Sequence, residues 1–314
     1  MKRKINLVGQ STLTVSLPSK WAKEHGLKKG DELDVLQEKN SLMLSIADIK
    51  KEGREVSMSV DGLDKYLLMR YVTVFYITNY NKITLTYSKS QIYDAKNDQY
   101  INIKNAITKL CDRFIGLELV SQTSTKSELA CFFSSDTQDI NTIEKRIYFL
   151  IKETIEEMME AIKGNYADFH KTMYDHHDNI AKFIHYYLRK LDSSDKNEEE
   201  KKFLYALYTI IDKLVDKLRH LSEQIEKHKC SPKVQKYLKE IFDFLYELFT
   251  SLHKKEFKQE LVEERYKLIK RIEKESFALN ELKVLSEVRI FLDVINDFSH
   301  AIVAMNLGSL KPSQ

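Results

Sequence analysis

The sequence predicts an α+β multidomain protein: a small N-terminal β module, a mixed α/β middle segment and a long all-helical half. Three observations lead to this prediction. Apolar and polar residues alternate through residues 1–50, which is the period of a strand. Strand-like and helix-like patterns follow one another over residues 54–135. No proline occurs between Pro18 and Pro232, so nothing there removes a backbone donor from a long helix.

Composition sets the broad class of the protein. With 314 residues, of which 43% are hydrophobic, the chain suits two or three domains. The 50 basic and 47 acidic residues leave a net charge of +3, which favours no class of partner. The odd count of three scattered cysteines favours free thiols in a reducing compartment. Neither a signal peptide nor a stretch of about 20 apolar residues occurs, so we expect a cytoplasmic protein without membrane insertion.

The N-terminal module is predicted to contain two pairs of strands around a short helix. The first pair is broken at residues 9–11, the helix spans residues 19–25, and the second pair spans residues 32–36 and 42–46. The apolar positions of the first pair are Ile5, Leu7, Leu13, Val15 and Leu17. So few apolar residues cannot bury a core within one copy, which predicts an intertwined homodimer.

Basic residues are concentrated in this module. Residues 1–30 contain seven lysines and arginines against one acid, Glu24. Because they flank both ends of the first strand pair, we expect them to converge on one face, where a nucleic-acid backbone would be attracted. The alternative is that these lysines merely solvate a small surface.

Three short motifs carry a family resemblance: INLVGQS at residues 5–11, LPSKW at residues 17–21 and GLKKGDEL at residues 26–33. In this order they resemble the AbrB/SpoVT swapped-hairpin domain over about residues 2–48. The resemblance implies a dimer of interlocked hairpins that binds double-stranded DNA. The contacts it implies are Arg3, Lys4, Gln10, Lys20 and Lys23. Domains of this type also serve as antitoxins, so the resemblance leaves that role open.

The middle segment is predicted to form a small α/β subdomain over residues 54–135. Its predicted strands are residues 56–60, 83–87, 117–121 and 129–133, and its predicted helices are residues 63–79 and 103–114.

Residues 140–308 are predicted to be helical nearly throughout. The first predicted helix carries Ile147 to Ile162 and ends at residues 164–165, and the second covers about residues 168–191. The third follows residues 198–200 and carries Leu204 to Ile225, and the fourth starts at residues 231–232. The fifth and sixth lie near residues 257–275 and 282–307. The third helix has the clearest pattern, an apolar stripe at alternating spacings of three and four. Its members are Leu204, Leu207, Ile211, Leu214, Leu218, Leu221 and Ile225. Ser231 and Pro232 predict the start of the fourth helix, as an N-cap followed by proline at the first helical position.

This helical half is internally repeated. Asp212 and Asp216 on the third helix match Asp293 and Asp297 on the sixth, with an offset of 81 residues in both pairs. The repeat predicts two consecutive three-helix bundles, at residues 138–230 and 231–308.

The repeated aspartates are candidate metal ligands. Like charges four residues apart on a helix are mildly destabilising unless a cation lies between them, and hard cations prefer carboxylate oxygens. The alternative is ordinary ion pairing at the helix surface. In that case Arg219 and His220 would pair with Asp216, and Arg289 would pair with Asp293.

Residues 140–308 resemble PhoU, a phosphate-signalling protein built from two three-helix bundles. The resemblance rests on Asp212 to Asp216 and on Asp293 to Asp297 with Ala301 after it, which match the family's acid-x-x-x-Asp motif. It implies a divalent or multinuclear metal site holding iron, zinc or magnesium. The fifth helix would contribute Glu260 and Glu264. In the second helix the chain departs from the family, with HDNIA at residues 177–181 where acids would be expected.

The order of the three parts, with IGLE at residues 115–118, resembles archaeal phosphate-uptake regulators over almost the whole chain. The resemblance implies a DNA-binding transcriptional regulator of phosphate uptake and homeostasis. One alternative is a regulator that docks on a phosphate-transporter ATPase or another signalling protein, with a β module that only dimerises. Another is an antitoxin-like partner binder. No catalytic motif can be assembled from the sequence, so we do not expect an enzyme.

Overall fold

The computed structural model describes residues 3–9, 11–38, 41–46, 54–133, 139–164, 169–194, 196–228, 230–254, 259–275 and 277–306. The chain divides into two compact units, residues 1–52 and residues 53–314. Among the described residues, no helix combines the length and the apolarity that a membrane crossing requires.

The first unit contains two separate antiparallel ribbons and one short helix. Strands β1 (Ile5–Val8) and β2 (Thr12–Val15) pair with each other, and β3 (Leu33–Glu38) pairs with β4 (Ser41–Ile46). Helix α1 (Ser19–Glu24) lies between the ribbons in sequence. It ends before Gly26, whose φ of +63° is the left-handed conformation that a glycine after a helix end adopts most easily. The predicted order of elements in the module is confirmed.

The described side chains of the first unit form no buried apolar interior. Among residues 3–46, no side chain whose exposure the structure describes is buried. Leu7 and Leu13 face each other across the first ribbon and remain 63% and 67% exposed. A two-stranded ribbon is at best marginally stable in water. This unit therefore needs apolar contacts from outside the described part of residues 1–52.

The second unit begins with a four-stranded sheet in the order β5-β6-β10-β9, in which β5 and β6 are parallel and the other pairs antiparallel. Its strands are β5 (Arg54–Ser59), β6 (Tyr80–Thr86), β9 (Leu117–Gln122) and β10 (Lys126–Cys131). Helices α2 (Lys65–Ile77) and α3 (Ile103–Cys111) pack against this sheet. The Asp64 carboxylate starts α2 by accepting hydrogen bonds from two backbone N–H groups. These elements follow the predicted ones closely.

One hairpin was not predicted from the sequence. Strands β7 (Gln91–Asp94) and β8 (Gln99–Asn102) pair antiparallel around a polar turn. Each strand is four residues long, too short to show a clear alternation. The Asp94 carboxylate, buried in the hairpin, accepts a hydrogen bond from the Lys65 ammonium at 2.9 Å, which ties the hairpin to α2.

Six long helices complete the second unit, as predicted. They are α4 (Ile140–Ala161), α5 (Phe169–Asp192), α6 (Glu198–His228), α7 (Pro232–Lys254), α8 (Gln259–Glu273) and α9 (Leu279–Asn306). All seven apolar positions that define the stripe of α6 are buried. In the sequence repeat, α4 to α6 correspond to α7 to α9.

The two sets of helices pack against each other at two places. The Tyr148 ring of α4 stacks on the His253 ring of α7, with centroids 4.1 Å apart. Lys213 of α6 reaches Asp297 of α9, with Nζ 3.8 Å from the carboxylate oxygen.

A buried arginine joins the α/β part to the helices. Arg189 of α5 is 4% exposed and donates hydrogen bonds to the carbonyl oxygens of Tyr76 and Tyr80 and to the side chain of Asn81. Its guanidinium also lies 5.0 Å from the Phe133 ring centroid. The middle segment and the bundles were predicted as separate domains. These contacts are the physical reason that they form one compact unit.

Candidate functional site

The basic residues predicted to contact DNA lie on the surface of the first unit. Arg3 and Lys4 directly precede β1, and Lys20 and Lys23 lie on α1, and all four are exposed. Gln10 lies outside the described residues. These four positions are accessible to a phosphate backbone, which long basic side chains neutralise by direct contact.

One of these cations has a partner within the unit. The Lys20 ammonium lies 3.8 Å from a carboxylate oxygen of Glu24, one helical turn away, and both side chains are mostly exposed. Such a pair contributes only about 0.3–0.5 kcal/mol. A phosphate group can therefore replace Glu24 as the partner of Lys20 at little cost.

A second candidate site lies where α5 faces α6, in the part of the chain predicted as the first bundle. His177 of α5 places Nε2 3.6 Å from Asp216 of α6, and its Nδ1 lies 3.0 Å from Asp178. The neighbouring His176 points elsewhere, toward Thr154 and Glu157 of α4. Adjacent residues on a helix project in directions about 100° apart, so the two histidines face different neighbouring helices.

Asp216 is the centre of this cluster. Arg219 donates a hydrogen bond to it at 2.7 Å, and His220 Nε2 lies 3.5 Å from its other oxygen. Burial alone would raise the pKa of Asp216, but the hydrogen bond and charge of Arg219 outweigh burial and lower that pKa. The surface pairing predicted for Asp216 is therefore present.

Asp212, one turn earlier on α6, has a different environment. Among the described residues, no cationic group lies within salt-bridge distance of its half-buried carboxylate. Burial raises the pKa of Asp212, the negative charge of Asp216 raises it further, and His177 and Arg113 oppose both only in part. Asp212 is therefore the acid in this cluster that would gain most from an added cation.

The cluster is connected to the α/β part of the unit. Arg113, just after α3, places its guanidinium 3.4 Å from the carboxylate of Asp178. Burial works against the ionised form of Asp178, but the hydrogen bond from His177 and the charge of Arg113 lower its pKa overall. The acid of this ion pair, Asp178, directly follows His177 in the chain, and His177 is the histidine that faces Asp216.

In the second bundle the repeated aspartates meet different partners. Asp293 is paired with Arg265 of α8 at 3.2 Å, and Asp297 is paired with Lys213 of α6 at 3.8 Å. The prediction that Arg289 pairs with Asp293 is wrong, because Arg289 lies 3.5 Å from Glu273 instead.

The two glutamates predicted to complete the second metal site are not brought to these aspartates. Glu260 and Glu264 of α8 are both exposed. Arg265, the residue after Glu264, is the one that faces α9. Within the described ranges, no group of three or more His, Cys, Asp or Glu side chains is arranged to hold a metal ion. The metal site therefore stays a prediction at all six carboxylates.

The side chains around Asp216 carry donor atoms of two kinds. His177 and His220 offer imidazole nitrogens and the two aspartates offer oxygens, a mixed set that suits zinc or iron better than magnesium. Arg219 would have to release Asp216 to make room.

Sequence reasoning missed two residues that shape these clusters, Arg113 and Arg265. Arg265 carried a readable signal, since it takes the middle position of the buried stripe Leu261, Arg265 and Leu268 on α8. A charged residue in such a stripe indicates a specific buried partner. Arg113 carried no comparable signal, because its partner lies 65 residues away in the chain.

A comparison with protein-family models supports the assignment of the N-terminal module. Residues 8–56 match a family described as antidote-toxin recognition MazE, bacterial antitoxin. Neither the curated proteins nor the solved structures that were compared gave a match. Residues 8–56 are thus similar to a domain of the MazE and AbrB type, which suggests a DNA-binding or antitoxin-type regulatory domain.

Proposed function

We propose that the protein is a homodimeric DNA-binding regulator of phosphate uptake, in which the helical unit senses a signal and is not itself catalytic. The observation that carries the proposal is the state of the first unit. Its apolar side chains are exposed in one copy, its basic side chains are exposed beside them, and its sequence matches the MazE-type family. A second copy would cover the apolar surface, and DNA would be held by Arg3, Lys4, Lys20 and Lys23, together with Gln10.

The link to phosphate rests on the helical unit. Its support is the PhoU-like repeat of acidic pairs at an offset of 81 residues, carried on α6 and α9, which pack together. The sensing site would be the cluster around Asp212 and Asp216, and its ligand a divalent cation. A ligand there can shift the DNA-binding state only if it binds one of the two states more tightly.

DNA binding is tested by mobility shift with the full chain. The probes are duplexes from promoters of phosphate-transport genes and a scrambled duplex of equal length, at two salt concentrations. We expect binding that weakens steeply with salt, and at least a tenfold loss in Arg3→Ala/Lys4→Ala, with a salt slope smaller by about 2. The matched control is Lys89→Ala/Lys96→Ala, which removes two exposed charges from the second unit.

Equal loss in both variants, or no binding at low salt, would contradict the proposal. The family match favours a second candidate in that case, an antitoxin-like module that binds a protein partner. A regulator docked on a transporter ATPase, with a β module that only dimerises, is the third. The phosphate part is tested separately, by mapping bound DNA across the genome in phosphate-rich and phosphate-starved cells. An identical map in both conditions would remove phosphate from the proposal.

A further inference from the structure

A guanidinium is buried between α8 and α9. Arg265 is 6% exposed and lies between Leu261 and Leu268 on the face of α8 that packs against α9. Burying a charged group is strongly unfavourable unless it is paired and hydrogen-bonded. The position therefore requires specific partners.

All of these partners belong to one turn of α9. Arg265 donates from Nε to the carbonyl oxygen of Leu292 at 2.7 Å, from Nη1 to the side-chain oxygen of Asn296 at 3.1 Å, and from Nη2 to Asp293 at 3.2 Å. Its guanidinium also lies 4.8 Å from the Tyr266 ring centroid. The fork of the guanidinium spans three acceptors that the single ammonium of a lysine could not match.

The other acid of the second pair is also neutralised from within the chain. Asp297 has Lys213 at 3.8 Å. In the first pair, by contrast, Asp212 has no described cation at ion-pair distance, although it matches Asp293 in the repeat. The two acidic pairs therefore have the same spacing in the sequence but differ in the fold. Both acids of the second pair have a cationic partner, whereas in the first pair Asp216 is paired with Arg219 and Asp212 has no such partner among the described residues.

We infer that the Arg265 guanidinium occupies the place beside Asp293 that a metal ion would take. The same contacts stabilise the packing of α8 against α9. The second acidic pair then binds no metal, and of the two acidic pairs only the one on α6 remains as a cation site. The last statement rests on the proposed function; the role of Arg265 does not.

The role of Arg265 is tested by thermal unfolding of the full chain, followed by far-ultraviolet circular dichroism. Asp293→Asn removes the counter-charge of the buried guanidinium, which keeps its acceptors on Leu292 and Asn296. Because the Asp293 side chain is 65% exposed, we expect Tm to fall by about 2–3 °C. The matched control is Asp297→Asn, which makes the same change in the other acid of the pair. Asp297 is paired with Lys213, whose side chain is 57% exposed. There we expect a change within about 1 °C. Equal shifts in the two variants would overturn the inference.

The absence of a second metal site is tested by equilibrium dialysis of chelator-treated full chain against Mn²⁺. We expect the Asp293→Asn/Asp297→Asn variant to bind as much Mn²⁺ as the unchanged chain, and Asp212→Asn/Asp216→Asn to lose it. Loss in the first variant would overturn the inference. If the unchanged chain binds no Mn²⁺, the cation part of the proposed function fails, and the unfolding comparison alone decides the role of Arg265.

Discussion

The two units of the chain differ in how much of their apolar surface one copy buries. In residues 53–314, side chains such as Ile83, Leu214 and Phe291 are fully buried within one copy. In residues 3–46, no side chain of described exposure is buried, although apolar residues alternate there as regularly as in any strand. The difference shows that an alternating apolar pattern predicts a buried strand face. The pattern does not tell whether the same copy of the chain or a second copy buries that face. We expect the first unit to fold only with a second copy.

The single tryptophan allows the two units to be followed separately. Trp21 lies in the first unit, whereas α4 to α9 dominate the far-ultraviolet circular dichroism of the second. The predictions for Arg189 and for protein concentration use this difference.

The largest effect is expected from Leu13→Asp, which places a carboxylate on the apolar face of the first ribbon. Because a dimer interface would have to bury that charge unpaired, we expect dissociation to a monomer at micromolar concentration. Sedimentation velocity measures the particle mass. Thr14→Asp, on the opposite face of the same strand, is the control and should remain dimeric. A dimer that survives Leu13→Asp would contradict the comparison between the units.

The next effect concerns the second unit. Arg189→Met leaves the acceptors on Tyr76, Tyr80 and Asn81 without their donor. We expect the free energy of unfolding to fall by about 3 kcal/mol, as measured by urea titration of the circular dichroism. Lys190→Met, at the less buried neighbouring residue, should lose under about 1 kcal/mol. The Trp21 fluorescence transition should not move in either variant.

Acid should weaken the second unit through His185. Burial lowers the pKa of His185 from 6.5 to about 4. Between these values the unfolded chain binds a proton that the folded chain does not, so stability is lost as pH falls from 6.5 toward 4. From pH 7 to pH 4.5, we expect the unchanged chain to lose about 2 kcal/mol more than His185→Gln. Parallel losses in urea titrations of the two proteins would show that His185 does not contribute.

The smallest effect is a dependence on protein concentration. If the first unit folds only as a dimer, a tenfold dilution should lower its apparent free energy of unfolding by about 1.4 kcal/mol. Denaturation followed by Trp21 fluorescence should therefore shift with dilution, and the circular dichroism transition should stay in place. A fluorescence transition that is independent of concentration would favour a module that is stable as a monomer.

Much of the fold could be predicted because its signals are local. The stripe of α6 and the Ser231 and Pro232 start of α7 lie within a few residues of the structure they specify. The β7–β8 hairpin was missed because strands of four residues contain too few side chains to show a period. In the candidate site, Arg219 was found as a partner of Asp216 because a helix fixes which residues are three apart.

The sequence by itself determined the types of element, their order and the repeated spacing of the acidic pairs, because backbone periodicity is set by neighbouring residues. Only the tertiary structure decided which charges on different elements meet. It placed Arg265 rather than Arg289 beside Asp293, and Arg113 beside Asp178. These pairings depend on how helices distant in sequence pack. Each of these arginines reaches its acidic partner across an interface between two elements, and that interface exists only in the folded chain.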